Sequence, residues 1–276
     1  VLSGRMLASD LNMNALPFIK TNLEALAAVK NPAAFWLAQQ RPDEQAVMDN
    51  LITNHWKLLD WKLPEGQGLF DAFHPATLYQ EWRPQADETG ASASIIVGCN
   101  LGYGLYHVLV NSPANHMVLV VEPDPAILLA CLGQTDYAPF IRANKVQFLP
   151  PHAETITRAI QQLDKHFLFG KIHLRADMPS RQLGPQYAQW TRFCQEALEG
   201  VSVELTTLRL RQDTMVRNEL QNFRSSLQHG CVKSLAQAAK GVTAVILGAG
   251  PSLERFGFFF TDTATTEIYT SALQNL

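Results

Sequence analysis

The sequence predicts an α/β fold: a Rossmann-like parallel sheet domain, preceded by a small helical and hairpin region and followed by a helical linker into a truncated second α/β domain. Three observations lead there. Short apolar runs at 95–97, 117–121, 146–149 and 172–174 alternate with segments of helical spacing, the pattern of successive βαβ units. The runs at 95–97 and 117–121 are apolar throughout rather than at every second residue, as strands covered on both faces require. Two strand-to-helix junctions, near residues 98–104 and 248–253, are rich in glycine, which lets a chain reverse tightly and approach a ligand closely.

Residues 1–90 read as the helical and hairpin region. Leu11, Leu16, Ile19, Leu23, Leu26 and Val29 recur at steps of three to five residues, Pro32 opens a second helix, and Asp43 can cap a third carrying Val47, Leu51 and Ile52. From His55 to Phe73, short apolar runs broken by Pro64, Gly66 and Gly68 predict a small hairpin. His74-Pro75 leads a short helix, and Pro84 to Ser92 is a polar linker. Residues 91–200 hold the Rossmann-like domain, with helices over about 101–110, 125–132 and 153–165 between its strands and another from Gly184 to Gly200. Residues 201–240 are a helical linker, a long amphipathic helix or helix pair with Met215, Leu220, Phe223, Leu227 and Leu235 on its apolar side. Residues 241–257 supply the first strand and turn of a truncated second domain. The tail, 258–276, opens FFFTDTATTEIYT and looks like a translated sequencing adapter, which predicts a truncated reading frame; the start at Val1 fits a fragment or a non-ATG start read literally.

Composition narrows the function classes. Of 276 residues, 47% are hydrophobic and 17% charged, with a net charge of −3. That suits a globular protein with a sizeable core and speaks against nucleic acid as a partner, which calls for a basic stripe. Apolar runs fall far short of about 18 residues, so no membrane insertion is expected. Four cysteines lie far apart without zinc spacing, and eight histidines show no paired metal spacing. No metal and a cytoplasmic location are the expectations, and each histidine reads as a surface or satisfied core residue. Trp56, Trp61 and Trp82 could form a sugar platform, but packing of the hairpin is the commoner role.

Function must therefore reside in the glycine turns. In the first, Gly98, Gly102 and Gly104 with Asn100 link a buried strand to a helix whose N-terminus could meet an anion. Glu122, at the end of the next strand, is placed to accept hydrogen bonds from ribose hydroxyls. Asn100 and Tyr103 depart from the dinucleotide fingerprint, so a tight scaffold turn without ligand stands beside the binding reading. In the second, Val245-Ile-Leu runs into Gly248, Gly250, Pro251 and Ser252. Two glycines permit the turn, Pro251 suits a first helical position, and Ser252 offers hydroxyl and amide, which together make a phosphate-sized nest. The absence of Gly-Lys-Ser/Thr rules out a P-loop.

Gly98–Gly104, the stretch VLVVEPD at 118–124 and GAGPSL at 248–253 together resemble the motility accessory factor flagellin glycosyltransferases, over about residues 11–256. The likeness includes the helical linker with Asn218 and Asn222. It implies a Rossmann-like N-terminal domain before a sialyltransferase-like catalytic domain. It also implies transfer of a nonulosonic acid from a CMP-activated donor to flagellin Ser or Thr, with Gly248, Gly250, Pro251 and Ser252 holding the CMP. The catalytic base would lie beyond this chain, which would be inactive alone. The first turn also resembles the first motif of S-adenosylmethionine-dependent methyltransferases, with Asn100 at a position where glycine is usual. A methyltransferase, with Glu122 on the cofactor ribose, is thus one alternative, and a non-catalytic module that docks flagellin or a chaperone is another.

Overall fold

The computed structural model describes residues 16–82 and 92–229, and the chain divides into two compact units, 1–211 and 212–276. Among the described residues, the N-terminal helices are α1 (Ile19–Ala28), α2 (Pro32–Gln40) and α3 (Glu44–Asp49). Asn31 caps α2 by accepting the Ala33 N–H at 2.9 Å, and Pro32 occupies its first turn. Asp43 caps α3 through the Gln45 N–H at 3.0 Å. The third helix is shorter than its apolar spacing predicts. Asn50 folds back onto the Ala46 carbonyl at 2.9 Å and ends it. Leu51 and Ile52, expected on its apolar face, instead form β1 (Leu51–Thr53), which pairs antiparallel with β2 (Leu59–Trp61). A short helix, α4 (Pro75–Leu78), follows, capped by His74 through the Ala76 N–H.

A four-stranded parallel sheet forms the centre. Its strands are β3 (Ser92–Val97), β4 (Met117–Val121), β5 (Val146–Leu149) and β6 (Lys171–Ala176), in the spatial order β5-β4-β3-β6. Chain order therefore reverses between β3 and β6, the switch point of a doubly wound sheet. Helices α5 (Tyr103–Asn111), α6 (Pro125–Gln134) and α7 (Ala138–Arg142) lie between β3 and β5 in the chain, whereas α8 (Ala153–Gln161) and α9 (Asp164–Phe169) precede β6. Ile96, Val118, Val120 and Phe148 pack with α5, α6 and the N-terminal helices, while Ile95, Val97, Leu119 and Val121 pack with α8 and with Cys194 and Val201 of α10 (Gln186–His229). Adjacent residues of β3, β4 and β5 thus enter opposite cores, which explains the unbroken apolar runs at 95–97 and 117–121, whereas β6 packs through Ile172 and Leu174 on the second core.

Helix α6 is buried at every position from Ile127 to Gly133. It is apolar all the way round, as a helix with neighbours on every side must be; on the side away from the sheet those neighbours are the N-terminal helices. Asn22 of α1, itself fully buried, donates to the carbonyls of Leu132 (2.6 Å) and Thr135 (2.7 Å), and accepts the Tyr137 N–H (2.8 Å). One side chain thus satisfies orphan groups where α6 ends and α7 begins.

Two helical expectations need correction. The segment expected as one helix from 153 to 165 is broken at Gln162–Leu163, where Leu163 turns into the second core. The helix expected to stop at Gly200 continues unbroken to His229. A glycine in a helix costs only about 1 kcal/mol, too little to end one that packs on both sides of it, through Leu198 and Val201, in the second core. Among the described residues, no helix is long and apolar enough to cross a membrane, and no group of three His, Cys, Asp or Glu could hold a metal.

Candidate functional site

The carboxyl end of β3 lies beside the switch point, where open α/β sheets hold their ligands. Gly98, Asn100, Gly102 and Gly104 all sit there, and Glu122 follows β4 alongside. Gly98 (φ +86°) and Gly102 (φ +85°) adopt the left-handed conformation that glycine permits, and Asn100 shares it at φ +40°. The turn has the shape the sequence suggests.

Its interior, however, is occupied by the chain's own side chains. Every residue from Ser92 to Gly102 is buried, and Glu122 is fully so. Glu122 Oε2 accepts the Cys99 N–H at 2.8 Å, and its Oε1 accepts the Tyr187 hydroxyl at 2.7 Å and the Asp124 N–H at 3.1 Å. The carboxylate that would meet a ribose is committed to three internal donors. A second cluster closes the β6 side. Asp177, just past β6, accepts the Tyr79 hydroxyl (2.6 Å), the Asn100 amide (2.8 Å) and the Ser180 N–H (2.8 Å), and Asn100 also donates to the Tyr79 hydroxyl (2.8 Å).

The glycines serve this packing. A Cβ on Gly98 would stand 2.5 Å from Ser180 Cβ, one on Gly102 would strike the Tyr137 hydroxyl, and one on Gly104 would meet the Tyr79 ring at 2.7 Å. The close approach they permit is to side chains of the same chain, Ser180 at Gly98 and tyrosines at Gly102 and Gly104. Burial raises the Glu122 carboxyl to about 7, against hydrogen bonds from Tyr187 and the backbone that favour its ionised form. Burial raises the Asp177 carboxyl as well, with the Ser180, Tyr79 and Asn100 bonds opposing it.

Tyr79, Asp177, Ser180 and Tyr187 were not among the sequence candidates. Asp177 carried a usable signal, an acid directly after a strand. Tyr187 carried none, since nothing in its surroundings distinguishes a tyrosine that reaches back to the sheet from one that covers its own helix. Gly248, Gly250, Pro251 and Ser252, with the strand before them, lie outside the described residues, as do Leu235, Cys231 and the tail. Cys99, Cys131 and Cys194 are free and buried. His116 is a satisfied core histidine, bonded to Ser92 Oγ (2.7 Å) and Ser94 Oγ (3.0 Å) and lowered to about 4, chiefly by burial.

No family model matches the chain. A protein of Treponema pallidum (strain Nichols), described as uncharacterized, is 25% identical over 162 residues, 57% of this chain and 54% of that protein. The match thus spans about half the length of that curated relative. Among solved structures, the MAf glycosyltransferase from Magnetospirillum magneticum AMB-1 is similar over 67% of this chain and 35% of its own, with 16% identity and a TM-score of 0.44.

Proposed function

We propose that the chain is the Rossmann-like domain and helical linker of a glycosyltransferase of the motility accessory factor type, which moves a nonulosonic acid from a CMP donor to flagellin Ser or Thr during flagellum assembly. The observation that carries this reading is the stretch Val242–Leu253, an apolar run leading straight into Gly-Ala-Gly-Pro-Ser-Leu. Such a junction offers backbone N–H groups to a phosphate at a helix N-terminus. As CMP departs, charge develops on its phosphate while the sugar becomes oxocarbenium-like, and amides fixed around that phosphate lower the barrier electrostatically. A general base for the acceptor hydroxyl is also needed, and it is sought in a complete second domain.

The closed first turn supports this division of labour. With Glu122 buried on Cys99, Asp124 and Tyr187, the methyltransferase reading loses its ribose acceptor. The docking-module reading retains one point in its favour, the exposed Leu220, Phe223 and Leu227 on α10. Retention of flagellin by residues 1–240 in a pull-down would support it.

The test is calorimetric titration of CMP into a chain extended through a complete second domain. Saturable binding is expected, lost in Gly250→Leu and kept in Glu122→Gln. Absence of CMP binding, or equal binding by Gly250→Leu, would overturn the proposal. Saturable S-adenosylmethionine binding that Glu122→Gln removes would replace it with the methyltransferase.

A further inference from the structure

The hairpin ahead of the sheet carries an exposed cluster that the transferase reading does not use. Trp56, 43% exposed, is the most exposed of the chain's five tryptophans. Its ring centroid lies 4.2 Å from that of His55, tilted by 44°, and 5.4 Å from that of His74, edge-on at 80°. His55 Nδ1 stands 3.6 Å from Asp71 Oδ1, with both side chains about half open to solvent. His74 Nδ1 accepts the Ala76 N–H at 3.1 Å, which leaves its Nε2 as a donor.

The cluster is held rigidly from beneath. Asn54 Oδ1 accepts the N–H groups of Trp56 (3.0 Å) and Leu58 (3.1 Å), and Asn54 Nδ2 donates to Asp60 Oδ2 (3.0 Å). Asp60 is fully buried and also takes the N–H groups of Trp61 and Phe70. Asp71 Oδ2 accepts the Gly68 N–H at 2.7 Å, which fixes the carboxylate at the edge of the cluster. A ligand would meet these groups already in place, without the cost of ordering them.

We propose that Trp56, His55, His74 and Asp71 form a platform for a neutral hexopyranose ring. An indole face bounded by hydrogen-bonding groups matches a sugar that is apolar on its C–H face and polar around its rim. Asp71 accepts from sugar hydroxyls, and His74 Nε2 donates to them. An apolar peptide side chain would leave these rim groups without use, and an acidic sugar would set its carboxylate against that of Asp71. The site stands apart from the transferase proposal, whose donor sugar is an acid.

Methyl β-D-galactopyranoside, methyl β-D-glucopyranoside and methyl α-N-acetylneuraminide are the probes, titrated into the full chain and followed by saturation-transfer NMR. At least one neutral glycoside is expected to bind saturably. Trp56→Ala should weaken it about tenfold, Trp56→Phe less, and Asp71→Asn should also weaken it. Trp56 is on the surface, so these variants should unfold at the wild-type temperature, and Trp56→Phe keeps the test open if the alanine variant does not. No saturable binding of either neutral glycoside, unchanged affinity in folded Trp56 variants, or tighter binding of the neuraminide would each overturn the platform.

Discussion

Glu122 gives a sharp stability prediction, because its carboxyl is raised to about 7 from an unfolded value of 4.5. The folded protein then holds the Glu122 proton over an interval in which the unfolded chain has released it. Stability is highest below pH 4.5 as far as this group is concerned, falls as pH rises, and reaches its minimum above pH 7. The difference is about 3 kcal/mol. Glu122→Gln removes the titration. It also leaves one of the Cys99, Asp124 or Tyr187 contacts imperfect, a roughly constant cost of about 1–2 kcal/mol. The assay is urea unfolding of wild type and variant at pH 5, 6, 7 and 8, compared at equal slope in denaturant. The variant should gain about 2.5 kcal/mol on the wild type between pH 5 and pH 8. Other groups, including Asp177, titrate in both proteins and cancel. A difference that stays flat over this range would refute the account of a buried, desolvated carboxyl.

His116 should behave in the opposite sense. Burial lowers it from 6.5 to about 4, so wild type loses stability as pH falls through that interval, and His116→Gln should gain about 3 kcal/mol on it between pH 7 and pH 4 by the same measurement. Gly102→Ala should destabilise by roughly 3 kcal/mol, since it combines an unfavourable φ with a Cβ driven into Tyr137; a drop in thermal midpoint of only one or two degrees would contradict this. Asn22→Leu keeps the number and branching of side-chain heavy atoms but removes the partner of two carbonyls and one N–H. A loss of about 3–5 kcal/mol in denaturant unfolding is expected.

The sheet could be read from the sequence because its signal is local. Four short runs with apolar residues, separated by segments of helical spacing, mark the four strands, and Pro32, Asp43 and His74-Pro75 announce the helices they open. What could not be read were contacts over long distances in the chain. Val245–Ser252 and Gly98–Gly104 look like the same kind of junction when only neighbouring residues are considered. The first is closed by Tyr79, Asp177, Ser180 and Tyr187, which belong to other elements. Leu51 and Ile52 fit a helix by spacing, but the strand pairing with Asp60 and Trp61 and the Asn50 bond to Ala46 outweigh that weak preference. Gly200 was read as a stop because glycine disfavours helix, although its cost is small compared with the packing of α10 against the second core.

The packing of α1 against α6 also has a consequence in time. Asn22 finds its carbonyl on Leu132, 110 residues further along. At a synthesis rate of roughly 5–20 residues per second, the first helices leave the ribosome some 5–20 s before the surface they rest on exists. During that interval Ala25, Leu26, Trp36 and Leu37 have no native cover. For that time these helices are open to chaperones and to aggregation, and cooling, which slows elongation, would prolong the hazard.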